Sequence, residues 1–132
     1  MKKAICLLTV IAAFTFISCS KDKPATNPTA TIEYKFTTDK TGNFNVEFTT
    51  DSTLTGAIVT AATWSKTVTI NKNNSQSNTA TFVVHPPFEW ATTTDRANVT
   101  SQIIVDGVIK ASDSAYMGGI DRPAGLTITA NF

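Results

Sequence analysis

The chain has 132 residues, with 11 basic and 10 acidic side chains for a formal charge of +1, two cysteines and a single histidine. Near-neutral charge without a basic cluster excludes electrostatic recognition of nucleic acid. Two cysteines are too few for a disulfide-framed scaffold, and this length suits one domain with its own core.

Met1, Lys2 and Lys3 open the chain with positive charge, and residues 4–17 form an uncharged run rich in Ile, Leu, Val and Phe. That run falls short of the roughly 20 apolar residues a membrane-spanning helix needs. Residues 1–18 therefore read as a secretory signal. Phe16-Ile17-Ser18-Cys19 closes the run and resembles the lipobox of bacterial lipoproteins of the Bacteroidetes type. The resemblance implies cleavage before Cys19 and lipidation of its thiol, several acyl chains together giving a stable membrane anchor. Loss of the leader removes Cys6, Lys2 and Lys3, which leaves Cys19 as the sole cysteine and nine basic residues against ten acidic ones.

Ser20 to Ala30, SKDKPATNPTA, has two prolines and hardly an apolar side chain, the composition of a solvated tether over residues 19–30. Ser20-Lys21-Asp22-Lys23 loosely resembles the charged signals that send such lipoproteins to the outer face of the outer membrane. The expected address is the cell envelope, at the outer membrane, with the periplasmic and surface faces both open.

From Thr31 the pattern changes to short alternating runs punctuated by turn residues, the mark of half-buried antiparallel strands. Ile32, Tyr34 and Phe36 share one face. After the turn cluster Asp39-Lys40-Thr41-Gly42-Asn43, Phe44, Val46 and Phe48 repeat it, which predicts a hairpin between the first two strands. Further strands are expected at 56–60, 64–70, 79–84, 99–105, 108–111 and 126–132. Val105-Asp106-Gly107-Val108 predicts a two-residue type I′ hairpin, because both central positions tolerate positive φ. No segment has helical periodicity. The fold expected over 31–132 is all-β, an immunoglobulin-like antiparallel β-sandwich of about seven or eight strands.

Trp64-Ser65-Lys66-Thr67-Val68-Thr69, Ile103-Ile104-Val105-Asp106-Gly107 and the opening Ile32-Glu33-Tyr34-Lys35-Phe36 stand in an order that resembles the mycobacterial MmpS family. The resemblance implies a membrane-anchored β-sandwich acting as an accessory subunit of a lipid or siderophore exporter.

Chemistry-bearing residues are sparse. His85 stands alone before Pro86-Pro87, there is no paired-ligand spacing for a metal, and no glycine pattern cradles phosphate. The expectation is a noncatalytic protein without cofactor or metal. It would serve as a binding or accessory module of an envelope protein complex, touching the membrane through its lipid. The alternative is a small-molecule or glycan-binding lipoprotein.

Two segments offer recognition. In His85-Pro86-Pro87-Phe88-Glu89-Trp90 a double proline stiffens a loop whose Phe88 and Trp90 either face outward as binding anchors or fold back to plug the sandwich. Tyr116-Met117-Gly118-Gly119-Ile120 is the second, with Tyr116 as its anchor or the segment as a lid. Asp51-Ser52-Thr53 and Asp113-Ser114-Ala115 resemble the acceptor pattern of Bacteroidetes O-glycosylation. Both are expected in turns, with Ser52 and Ser114 as the modified hydroxyls.

Overall fold

The computed structural model describes residues 28–51, 53–73, 78–119 and 125–132. The expected leader, Cys19 as the expected lipidation position, most of the expected tether, and Ser52 lie outside them. Eight strands fill the described chain: β1 (Thr29–Thr38), β2 (Phe44–Thr49), β3 (Leu54–Val59), β4 (Thr63–Asn71), β5 (Thr79–His85), β6 (Arg96–Val105), β7 (Val108–Gly118) and β8 (Leu126–Asn131), with one 3₁₀ turn at Phe88–Thr92. They form two four-stranded antiparallel sheets, β4-β1-β6-β7 and β3-β2-β5-β8. The architecture is the expected all-β sandwich. Its strand order differs from that of an immunoglobulin constant domain, where the first two strands lie in one sheet.

β1 shows why the sequence folds this way. Ala30, Ile32, Tyr34 and Phe36 are fully buried, whereas Thr31, Lys35 and Thr37 between them are exposed. A period of two puts all the apolar groups on one face. β2 and β5 do the same from the opposite sheet with Phe44, Val46 and Phe48, and with Ala80, Phe82 and Val84. Each large apolar side chain buried this way contributes roughly 1.5–3 kcal/mol.

The aromatic rings interlock in two groups. Tyr34 lies 5.5 Å from both Phe48 and Phe82, and Trp64 joins them at 5.6 and 6.0 Å. Towards the other end Phe36 meets Phe44 at 5.0 Å, and Trp90 meets Phe44 edge-on at 5.4 Å. Tilted and edge contacts of this kind add to the burial itself. The Tyr34 hydroxyl donates to the Thr49 carbonyl at 2.8 Å, and burial pushes its pKa up to about 12. Ser101 is the exception in the core, fully buried with no partner for its Oγ.

The hairpin expected between β1 and β2 does not form. β1 pairs with β4 and β6, β2 with β3 and β5, so residues 39–43 carry the chain from one sheet to the other. The crossing is held at its start. Thr38 N–H donates to the Ala62 carbonyl, and Asp39 takes hydrogen bonds from the backbone and side-chain amides of Asn98 at 2.9 and 2.7 Å. The Asn98 side chain is the main cause that lowers the Asp39 pKa below the usual carboxylate range. Phe36 and Phe44 then face each other across the core instead of lying side by side in one sheet.

The β6–β7 hairpin forms as expected, Val105 opposite Val108, with Asp106 at φ 49° and Gly107 at φ 81°. β7 extends well past its expected end at residue 111. It continues because Ala115 and Met117 keep one side facing the core while Ser112, Ser114 and Tyr116 keep the other facing solvent. The start also moves, since Thr29 and Ala30, expected in the tether, pair with Asn71 and Ile70, and Ala30 is fully buried.

Candidate interaction surfaces

The double-proline loop separates its two aromatics. Pro87 leads into the 3₁₀ turn, closed by hydrogen bonds from Trp90 N–H to the Pro87 carbonyl and from Thr93 N–H to the Trp90 carbonyl. This short turn aims Phe88 and Trp90 in opposite directions. Trp90 is 7% exposed and plugs the sandwich end against Phe44, whereas Phe88 is 86% exposed. The expectation of Trp90 as an outward-facing anchor is therefore corrected: it is a core residue, and Phe88 alone projects. Gly118 explains part of the fit, because a Cβ there would lie 2.8 Å from the Trp90 ring and 2.6 Å from the Asp95 carbonyl oxygen, and its φ of 104° suits glycine alone. Beside Phe88, the Asn43 amide reaches the Glu89 carboxylate at 3.5 Å.

Tyr116 is exposed at the same end, on the outer face of β7 opposite Asn98, with the Arg96 guanidinium 5.9 Å from its ring centre. It is no lid. The core contact of that segment comes from Met117, which is fully buried. Ser114 lies in a paired strand and not in a turn, opposite Thr100, with the two hydroxyls 2.8 Å apart. Its oxygen is solvent-facing but engaged along the sheet. His85 ends β5, with Nε2 3.8 Å from the Glu47 carboxylate on the outer face of the second sheet. Among the described residues no three His, Cys, Asp or Glu side chains gather as a metal site.

The sheet edges add surfaces that the sequence did not reveal. Edge strands present unpaired backbone N–H and C=O groups, and proteins blunt them with charge, bulges or cover. β4 carries exposed Lys66 on its core-facing side, opposite Tyr34. β7 carries Asp113 opposite the buried Ser101, and a bulge that displaces Lys110. β8 shows solvent only small polar groups, Thr127, Thr129 and Asn131. β3, Leu54-Thr55-Gly56-Ala57-Ile58-Val59, has no charge, proline or bulge, and its outer face exposes Leu54 at 52% and Ile58 at 73% on either side of Gly56. A signal was present in this uncharged six-residue run, yet only the topology makes it an edge.

No protein-family model matches the chain, and no curated protein matches it in sequence.

Proposed function

We propose that this protein is an envelope lipoprotein, anchored through Cys19, whose sandwich is a noncatalytic binding module of an envelope protein complex. A transporter assembly is the kind of complex that the MmpS resemblance implies. The observation that carries the reading is β3. An uncharged edge with two exposed branched side chains is the template on which another chain adds a strand, its backbone supplying affinity and its alternate side chains specificity. The other edges are charged, bulged or polar, which directs a partner strand to this one.

A photoreactive side chain at Leu54 tests this in cells. Expected is crosslinking to an extended segment of one envelope protein, abolished by Ile58→Lys and by Cys19→Ala. Crosslinking that survives Ile58→Lys, or that arises equally from a probe at Tyr116, contradicts it.

One observation favours the second reading, a small-molecule or glycan-binding lipoprotein. Phe88 stands almost fully exposed on a proline-stiffened turn beside Asn43 and Glu89, an apolar ring with polar neighbours. Ligand screening with Phe88→Ala as the control separates the readings, since loss of binding there leaves the β3 crosslink unchanged.

A further inference from the structure

The end of the sandwich opposite Phe88 is where the tether enters. β1 begins there at Thr29, and the Lys72 N–H donates to the Pro28 carbonyl at 2.9 Å. The β6–β7 hairpin turns at this same end, tied to β1 by hydrogen bonds from Asp106 N–H to the Thr31 carbonyl and from Thr31 N–H to the Asp106 carboxylate. β8 also finishes there, so Phe132 joins Val108 and Lys110, with Lys72, around an open cleft of about 410 Å³. Just past the turn, Val108 and Ile109 are 55% and 56% exposed.

We infer that this end is a second, direct membrane contact, in which the β6–β7 hairpin rests Val108 and Ile109 against the bilayer while Lys72 and Lys110 meet anionic lipid headgroups. The inference rests on the anchored reading proposed above.

Three observations lead to it. Nine residues lie between Cys19 and Thr29, ten peptide steps that span at most about 35 Å when fully extended, so a lipid on Cys19 keeps this end of the domain within that distance of the membrane surface. Neighbouring exposed apolar side chains flanked by lysines fit the interface between acyl chains and headgroups, where the lysine stems lie along the apolar surface and the ammonium groups reach phosphate. Asp106 and Asp51 at this end, though exposed, each accept a backbone hydrogen bond at 2.9 Å, from the Thr31 and Asn71 amides. Among the described residues no carboxylate lies within ion-pair distance of Lys72 or Lys110, which leaves both ammonium groups to lipid phosphate.

The far end lacks this arrangement. Its Lys40 is drawn to Asp95 at 3.4 Å, and its Arg96 lies beside Tyr116. A hairpin contact would fix the domain's orientation and place the β3 edge at a set height above the membrane.

The test uses the mature full-length protein, purified from its native host, in vesicles containing phosphatidylglycerol. An environment-sensitive fluorophore is carried at Ile109→Cys, or at Phe88→Cys as the distal control, with nitroxide lipids as quenchers. Expected is strong quenching at position 109 and little at 88, with the position 109 signal lost in high salt or in the double variant Lys72→Glu, Lys110→Glu. Each lysine contributes about fivefold to the occupancy of the contact. Equal quenching at both positions, or a signal at 109 that ignores salt and both lysines, overturns the inference. Flotation with the vesicles and the intact mass are read on the same samples. A protein that floats with acylated Cys19 yet shows no quenching at 109 refutes the hairpin contact alone. A protein lacking the acyl mass and failing to float refutes the anchored reading, and this inference with it.

Discussion

Replacing Tyr34 by phenylalanine removes one oxygen from the middle of the sandwich and changes how stability responds to alkali. The hydroxyl donates to the Thr49 carbonyl at 2.8 Å in a region sealed by Phe48 and Phe82. Loss of that bond costs about 1–2 kcal/mol near neutral pH. Burial raises the phenol pKa from 10.0 to about 12. Between those values the unfolded chain has released the proton while the folded chain still holds it, so the contribution is fully present below pH 10 and disappears as pH rises towards 12. Two pKa units correspond to about 3 kcal/mol across the whole window. Urea unfolding at pH about 8 and about 11.5 measures both effects. The parent is expected to exceed Tyr34→Phe by about 1–2 kcal/mol at the lower pH, and that advantage to vanish at the higher one. An unchanged gap between the two proteins at both values would refute the reasoning, because they differ in this one hydroxyl alone.

Ser101 gives a change of opposite sign. Its Oγ is buried without a partner, so Ser101→Ala is expected to raise stability by about 1 kcal/mol in chemical denaturation. The two aromatics of the 3₁₀ turn should behave very differently on thermal melting: Trp90→Ala loses roughly 3–5 kcal/mol, while Phe88→Ala stays within about 0.5 kcal/mol of the parent. The lowered Asp39 pKa means that its contribution is present above the unfolded carboxylate value and is lost as pH falls through the folded one. Asp39→Asn should flatten the acid limb of a pH–stability curve, and an unaltered limb argues against the Asn98 clamp.

Much of the fold is visible in the chain because a period of two marks a buried face. Ile32, Tyr34 and Phe36, or Phe44, Val46 and Phe48, announce strands by themselves, and Asp106-Gly107 announces its hairpin through the φ values it permits. Alternation says nothing about which strand lies alongside. That is why the link at residues 39–43 resembles a hairpin turn in sequence and proves to be a crossing between sheets. β7 was hidden beyond residue 111 for a different reason, since Ser112, Asp113 and Ser114 are common turn residues and only pairing with β6 holds them extended. The loop aromatics could not be told apart from composition, because the two-residue spacing of Phe88 and Trp90 becomes outward and inward only once the chain turns as a 3₁₀ helix. The β3 edge was legible as an uncharged run, but exposure of an edge is a property of the sheet.

The anchored module on which both the partner reading and the hairpin contact depend is tested most directly by the intact mass of the mature protein from its native host. The account predicts a chain that starts at Cys19 and carries the added mass of a diacylglycerol and an amide-linked acyl chain, with any further hexose-sized increments reporting glycosylation at Ser52 or Ser114. A chain that retains residues 1–18, or one cut elsewhere with an unmodified Cys19, would contradict it.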